Sequence, residues 1–270
     1  MNTPPQTILI AVDFSTGSRA ALEQASRLAQ IHGSRLHVLH VIDVAAMAAL
    51  ANQRGEPFES AAQAATVGGK KALESWLAQS LMPEGYEITL VIGAPLHEIL
   101  EHTKSLHADL LVAGIAGEGE NSVGAGSVSS KLARKSAAHV LLVRADQSQP
   151  FQKIVACVDF SDHALRVLAL ARELALHDHA SVDFLHVWAD PGSMLPVMGP
   201  FGESGLSMTN ATLAPRDELI TAIQAHLHAF IQPSAEGIPH AEVLHEDRKT
   251  GHGIADHARE SGADLIIIGA

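Results

Sequence analysis

The amino-acid sequence predicts an α/β protein in which an open, doubly wound, five-stranded parallel sheet occurs twice. One observation is the length of 270 residues, which suggests two domains because domains of about 100 to 200 residues are common. A second is an internal repeat that covers almost the whole chain. The third is the alternation of short β-rich apolar runs with helical patterns, which is typical of βαβ units. Right-handed crossovers then favour an open doubly wound sheet.

The internal repeat is visible in three blocks of sequence. The block ILIAVDFS at 8–15 recurs as IVACVDFS at 154–161, a shift of 146 residues. The tripeptide LHV at 39–41 recurs at the same shift, at 185–187. The block ADLLVAG at 108–114 recurs as ADLIIIG at 263–269, a shift of 155 residues. The larger shift predicts an insertion in the second copy, in the stretch 191–215 that is rich in Gly, Pro and Met.

The linker between the copies is predicted at residues 145–152, a polar segment that contains Pro150. The first copy is therefore expected to span residues 1–146 and the second copy residues 151–270. Up to Ala270 the second copy has no counterpart of the last helix and last strand of the first copy, so we expect it to expose a sheet edge. Either the natural protein continues for roughly 30 to 40 residues, or the second copy has lost these elements.

The first copy is predicted to contain five strands and four helices. The strands are expected near residues 7–13, 35–41, 86–92, 108–114 and 139–143. The helices are expected near residues 21–29, 58–80, 96–106 and 127–136, from the helical spacing of their apolar residues. Gly33 ends the first helix. The side chains expected to face inward are Leu73, Trp76 and Leu77 in the second helix and Val128 and Leu132 in the fourth.

The composition argues against nucleic acid and membranes as partners. The 18 Lys+Arg and 30 Asp+Glu residues give a formal net charge of −12, and this field repels nucleic-acid phosphates and anionic lipid surfaces. No apolar run approaches the roughly 18 to 20 residues of a membrane span. Residues 1–6 lack a secretory signal pattern, and the single Cys157 cannot form an internal disulfide, so we expect a cytoplasmic protein. The apolar neighbours of Cys157 predict a buried thiol.

A carboxylate follows the first predicted strand. Asp13 stands at the carboxyl end of that strand, where it could accept hydrogen bonds from the ribose or base of a ligand. Alternatively, Asp13 or Ser15 caps the following helix. The recurrence of both residues as Asp159 and Ser161 fits either interpretation.

A glycine-rich segment follows the fourth predicted strand. The sequence GIAGEGENSVGAGSVS at 114–129 contains five glycines within thirteen residues. Its backbone N–H groups could approach an anion, and Gly126-Ser127 then opens a helix whose free N–H groups suit a phosphate. The alternative is a flexible connection.

Together these blocks resemble a tandem universal stress protein, that is, two universal stress protein domains in one chain. The resemblance rests on the opening block, on the block at 108–114, on the glycine segment that closes with Gly126-Ser127-Val128-Ser129, and on the apolar run HVLLVR at 139–144. It implies an adenine nucleotide alpha hydrolase-like fold with a five-stranded parallel sheet. It also implies ATP binding, as in some members, and self-association through the last strand, residues 139–143.

The resemblance also implies the residues of a nucleotide site in the first copy. Asp13 and Val41 would face the adenine and ribose. The residues that would hold the phosphates are Gly114, Gly117, Gly126, Ser127, Val128 and Ser129. Eight residues separate Gly117 from Gly126, where ATP-binding members usually have nine. Glu118 and Glu120 would repel a triphosphate by roughly 1 kcal/mol per close pair unless they point to solvent or Mg²⁺ intervenes.

Histidines are frequent, and a Zn²⁺ site is the alternative cofactor hypothesis. The pair His97 and His102 recurs as His252 and His257. Residues five apart on a helix diverge by about 140°, so each pair is poorly placed to chelate one metal ion. Other histidines could complete a site only through the tertiary fold: His107, His226, His228, His240 and His245.

The sequence therefore favours a non-enzymatic stress-response protein whose first copy binds ATP or a related adenine nucleotide. One alternative is a scaffold or a carrier of a small apolar ligand, which the insertion with Met194, Met198 and Met208 would cover. The other is a weak ATP hydrolase. No general base or arginine finger can be named near the glycine segment, so any turnover should be slow.

Overall fold

The structure confirms a parallel α/β sheet in each copy. It is a computed structural model that describes residues 5–115, 128–190 and 215–269. The chain divides near Pro150 into two compact units. Among the helices of the described ranges, none combines the length and apolar character needed to cross a bilayer.

The first copy alternates strands and helices along the chain. Its strands are β1 (Thr7–Val12), β2 (Arg35–Asp43), β3 (Glu87–Gly93), β4 (Leu110–Ile115) and β5 (His139–Arg144). Its helices are α1 (Thr16–His32), α2 (Val44–Arg54), α3 (Phe58–Leu77), α4 (Pro95–Ser105) and α5 (Val128–Lys135). All paired strands are parallel, as predicted, in the order β3-β2-β1-β4-β5.

The order of the strands locates the point where a ligand is expected. The chain adds β2 and β3 on one side of β1 and then crosses to the other side to add β4 and β5. β1 is the central strand and is almost fully buried. In open sheets of this kind, ligands bind beyond the carboxyl ends of the strands at such a switch point, which here lies between β1 and β4.

Helix α2 is absent from the sequence-based prediction, which placed only one helix between the second and third strands. Its alanine-rich sequence carries no stripe of large apolar residues, and only Met47 and Ala51 are buried. Its start is fixed locally, because the Asp43 side chain accepts hydrogen bonds from the backbone N–H groups of Ala45 (2.8 Å) and Ala46 (3.3 Å). Gly55, in the left-handed conformation, ends it.

Val128 and Trp76, which were predicted to face the core, are not fully buried. Val128 is 39% exposed, because it stands at the first residue of α5, whereas Leu132 one turn later is buried as predicted. Trp76 is only half-buried, and the Arg19 guanidinium lies 3.7 Å from the centre of its ring. Leu73 and Leu77 are buried and carry the contact of α3 with the sheet.

The second copy repeats the architecture with four strands. Its strands are β6 (Lys153–Cys157), β7 (Ser181–Trp188), β8 (His240–Glu246) and β9 (Leu265–Ile267), in the order β8-β7-β6-β9. Its helices are α6 (Asp162–Asp178), α7 (Arg216–Ala235) and α8 (Thr250–Ser261). In the described part of the chain β9 pairs with β6 alone, so the predicted free edge is present there. Cys157 is half-buried, and burial raises the pKa of its thiol to about 12.

The repeated Ala-Asp-Leu block has a structural role in both copies. The Asp109 Oδ2 atom accepts hydrogen bonds from the backbone N–H groups of Gln6 (2.8 Å) and Thr7 (2.9 Å), which ties the start of β4 to the start of β1. Asp264 makes the equivalent bonds to Gln152 and Lys153 in the second copy. The aspartate of the motif therefore aligns the two central strands of each sheet.

Replacing Asp109 with alanine should lower the free energy of unfolding of the first copy by about 1–3 kcal/mol, because two backbone donors lose their acceptor beside buried Thr7. Chemical denaturation measures this difference. Asp146→Ala is the matched control: within the described ranges Asp146 pairs with exposed Arg144 alone, so its loss should change stability by less than about 0.5 kcal/mol. Equal effects of the two substitutions would contradict the assigned role.

Candidate functional site

The registers of β1, β2 and β4 bring the predicted site residues to one edge of the first sheet. Ala11 pairs with Leu39 of β2 on one side and with Ala113 of β4 on the other. Two residues further along each strand, the chain reaches Asp13, Val41 and Ile115. Asp13, Val41 and Gly114 therefore lie at the carboxyl end of the sheet, at the switch point.

Asp13 carries a partly exposed carboxylate that is held in a fixed orientation. Its Oδ1 atom accepts hydrogen bonds from the Ser18 hydroxyl (2.7 Å) and the Ser15 backbone N–H (3.0 Å). Partial burial acts to raise the pKa of Asp13, but the hydrogen bonds from Ser15 and Ser18 outweigh it and hold the pKa below its ordinary value. The group is therefore charged at neutral pH and can accept hydrogen bonds from a ligand.

The cap of α1 is Ser15 and not Asp13. The Ser15 hydroxyl oxygen accepts a hydrogen bond from the Ser18 backbone N–H (3.1 Å), which is the N-cap interaction of that helix. Asp13 orients the residues that precede the helix. The capping role that the sequence offered to either Asp13 or Ser15 therefore belongs to Ser15. The other interpretation, in which Asp13 accepts hydrogen bonds from a ligand, stays a prediction.

Two glycines allow α1 to touch the end of β4. A Cβ atom on Gly17 would lie 2.7 Å from the Ile115 carbonyl oxygen. A Cβ atom on Gly114 would overlap the Gly17 carbonyl carbon and the Ser18 nitrogen. Since only glycine fits at either position, the N-terminus of α1 is packed directly against the strand that leads into the glycine segment.

The two ends of the glycine segment meet at the same edge. The Ser129 hydroxyl, on the first turn of α5, donates to the Gly114 carbonyl oxygen at 3.0 Å. The structure thus brings Val128 and Ser129 to the end of β4, near the edge that carries Asp13. Gly117, Gly126 and Ser127, together with Glu118 and Glu120, lie outside the described residues.

An aromatic cluster beside Asp13 was missed by the sequence analysis. Phe14 has a positive φ of 66°, which is rare for an aromatic residue. The centre of its ring lies 4.5 Å from the centre of the His40 ring and 5.7 Å from that of the Trp76 ring, which it meets edge-on. His40 Nδ1 in turn donates to the Val12 carbonyl oxygen at 2.8 Å. The repetition of Phe14 and His40 within the two blocks shifted by 146 residues was the available signal.

The second copy carries the same residues in a different setting. Asp159 accepts hydrogen bonds from the backbone N–H (3.0 Å) and hydroxyl (2.6 Å) of Ser161, and these bonds lower its pKa. Phe160 again has a positive φ of 61° and lies 4.6 Å from the His186 ring. Here, however, the His226 ring of α7 stacks on Phe160 at 4.2 Å and is nearly parallel to it.

The glycine contact is also altered in the second copy. The shift of 146 residues places His163 at the position of Gly17, while Gly269 corresponds to Gly114. A Cβ atom on Gly269 would lie 3.2 Å from the His163 Cβ atom, so α6 and β9 approach less closely than α1 and β4. The electrostatic field of His163 acts on Asp159 and lowers its pKa.

The repeated histidine pairs bind separate partners. His102 Nδ1 donates to the Glu98 carbonyl oxygen (2.8 Å) within α4, whereas His97 is exposed. His257 Nε2 lies 2.9 Å from the buried Asp183 carboxylate. His252 instead faces Asp247 and Asp256, so His252 and His257 do not converge on one point.

Comparison with protein families gives two matches along the chain. The model of the universal stress protein family matches residues 5–144 and again residues 150–270. A universal stress protein of Thermus aquaticus is 34% identical over 141 residues, which cover 52% of this chain and 98% of that protein. One of Bacillus subtilis is 29% identical over 145 residues, covering 51% of this chain and 97% of that protein.

Solved structures share the fold over nearly the full chain. A functionally unknown protein from Pseudomonas aeruginosa PAO1 superposes with a TM-score of 0.58 at 15% identity, covering 97% of this chain and 80% of that chain. A universal stress protein from Archaeoglobus fulgidus gives a TM-score of 0.54 at 16% identity, covering 97% and 85%. At these identities the likeness concerns the fold.

Proposed function

The chain belongs to the universal stress protein family, and on that premise we propose that its first copy binds ATP or another adenine nucleotide and signals its occupancy by a change of shape or partners. The observation that carries the proposal is the charged, oriented carboxylate of Asp13 at the switch point of the first sheet, where both ends of the glycine segment also meet. This edge is where open α/β sheets bind ligands.

Asp13 would recognise the nucleoside part of the ligand. Its Oδ1 atom is engaged by Ser15 and Ser18, which fixes the direction of the carboxylate. A charged acceptor suits the hydroxyls of ribose or the amino group of adenine, both of which donate hydrogen bonds. Val41 of the neighbouring strand β2 is level with Asp13 in the register and would contact the base or ribose.

The glycine segment would hold the phosphates, with Mg²⁺ as the proposed counter-ion. The first N–H groups of α5, at Val128 and Ser129, have no acceptor within their own helix, and helix N-termini favour anions. Gly114, Gly117, Gly126 and Ser127 complete the proposed set. A divalent ion would offset the repulsion between a triphosphate and Glu118 or Glu120.

We expect the second copy not to bind nucleotide, so that each chain binds one nucleotide. It keeps Asp159, but His226 stacks on the Phe160 ring and His163 replaces the glycine at the start of the helix. These differences support a single working site. Self-association through β5, which lies at the edge of the first sheet, stays a prediction from the family resemblance.

Titration calorimetry of nucleotide-stripped protein tests the proposal. ATP, ADP and AMP are titrated with and without Mg²⁺, and we expect close to one site per chain. Parallel measurement of phosphate release separates a binding protein from a weak ATP hydrolase. If neither calorimetry nor equilibrium dialysis detects binding at millimolar nucleotide, the proposed function is wrong.

A further inference from the structure

A histidine lies between two carboxylates at the start of α8 in the second copy. His252 Nδ1 is 2.5 Å from Asp247 Oδ2 and 3.2 Å from Asp256 Oδ2. The three side chains offer ligand atoms that all lie within 4.8 Å of one another. His252 and Asp256 are one helical turn apart on α8, and Asp247 comes from the loop after β8, so two separate elements of the fold converge on this point.

Each carboxylate is held through its other oxygen. The Lys249 backbone N–H donates to Asp247 Oδ1 at 2.7 Å, and Arg259 Nη1 donates to Asp256 Oδ1 at 2.8 Å. The Oδ2 atom of each residue is therefore the one that faces His252. Such outer hydrogen bonds orient the ligands of metal sites and raise their affinity.

Gly253 allows the loop to approach the helix. A Cβ atom at this position would lie 2.8 Å from Val187 Cγ1 on β7, 2.9 Å from His245 Cδ2 on β8 and 3.1 Å from Asp247 Cβ. A larger residue would press on both strands and on the loop that carries Asp247. Close packing at this glycine thus contributes to holding the loop near the start of α8.

The first copy offers an internal comparison. The shift of 155 residues places His97 at the position of His252 and Glu101 at that of Asp256, but Ile92 at that of Asp247. The first copy therefore keeps a histidine and a carboxylate one turn apart on α4 and lacks the third ligand. Both copies therefore have a histidine and a carboxylate on one face of the helix, but only the second copy adds the third ligand, Asp247.

We propose that Asp247, His252 and Asp256 bind one Zn²⁺ ion through the imidazole Nδ1 and one oxygen of each carboxylate. Ligand atoms of a tetrahedral zinc ion, at about 2.0–2.2 Å from the metal, lie roughly 3.3 Å apart. The distance of 3.2 Å from His252 Nδ1 to Asp256 Oδ2 matches this spacing, whereas Asp247 Oδ2, at 2.5 Å from Nδ1, would have to move outward by somewhat less than about 1 Å to admit the ion. An imidazole in the set favours zinc over Mg²⁺ or Ca²⁺, which prefer oxygen ligands. Water would fill the fourth position, since His252 is 62% exposed.

The charges around the cluster suit a cation. Asp247 and Asp256 supply two negative charges beside one imidazole, and Arg259, whose Nη1 donates to Asp256 Oδ1, offsets part of the charge of Asp256. A dication bound here would therefore have a carboxylate on two sides, from the loop and from α8.

Competition with a chromophoric zinc chelator tests the site, using full-length protein without a histidine tag after removal of metal with EDTA. The 17 histidines provide other weak sites, so the difference between variants is the readout. We expect His252→Ala and Asp247→Asn each to lose the tightest zinc equivalent, with affinity reduced at least about tenfold. His97→Ala is the matched control and should retain it.

X-ray absorption spectroscopy at the zinc K-edge, measured on the wild-type protein with one zinc equivalent, gives the number and type of zinc ligands as a second readout. We expect one nitrogen ligand and oxygen ligands for the remainder. The proposal is overturned if wild type and His252→Ala hold the same number of zinc ions with the same affinity, or if the spectrum requires two or more imidazole ligands. Circular dichroism checks that the variants, which alter exposed or half-exposed side chains, remain folded.

Discussion

Asp13→Asn is expected to reduce the affinity of the protein for ATP at least about tenfold, because a hydrogen bond to a charged acceptor contributes about 1.5–3 kcal/mol. The amide retains an oxygen that can accept from Ser15 and Ser18, so the turn before α1 should persist. The other oxygen becomes an NH₂ group, which donates and cannot accept from ribose or adenine. Titration calorimetry with ATP measures the change.

Asp159→Asn is the matched control for this result. Asp159 occupies the same position of the repeat and is held by Ser161 in a similar turn, but it lies in the copy where His226 stacks on Phe160. We expect ATP affinity and stoichiometry to be unchanged in this variant. If the two substitutions weaken binding equally, the two copies share the function. Wild-type affinity in Asp13→Asn would exclude Asp13 from the site.

The fold could be predicted from the sequence because several of its strands recur as similar blocks in the two copies. The blocks at 8–15 and 108–114 mark the two central strands, and their aspartates proved to have fixed structural partners. Helix α2 could not be predicted in the same way, since its alanines leave no apolar stripe and its start depends on the Asp43 side chain. The predicted burial of Val128 was wrong although the helix was predicted correctly, because a residue in the first turn of a helix packs less completely than Leu132 one turn later.

The candidate site could be predicted only in its local parts. Asp13, Gly114 and Ser129 stand out within short motifs that the sequence displays directly. The contacts of Phe14 with Trp76 and of Gly17 with Ile115 join residues far apart in the chain, and neither partner carries a local sign of the other. Gly17 in particular looks like an ordinary helix-start residue until β4 is placed against it.

This contact makes Gly114→Ala the substitution with the largest expected effect on stability. The added methyl group would overlap the backbone of Gly17 and Ser18, which cannot turn aside as a side chain could. Overpacking of this kind costs about 1–3 kcal/mol, and we expect the upper part of that range because α1 is anchored by its buried face. Any displacement of Ser18 would also remove a hydrogen bond from Asp13, so nucleotide affinity should fall as well.

Urea unfolding measures this loss when Trp76 is the only tryptophan, in a Trp188→Phe background, so that the fluorescence reports on the first copy. Gly68→Ala is the matched control: it lies inside α3, where a Cβ atom meets nothing within 4 Å. Alanine there should raise the free energy of unfolding by about 0.5–1 kcal/mol, because glycine is unfavourable inside helices. Replacing glycine with alanine should thus lower the free energy of unfolding at Gly114 and raise it at Gly68, within the same domain. A stabilising effect at Gly114 would mean that α1 can move away from β4, and that the close contact is not what holds Asp13 at the edge of the sheet.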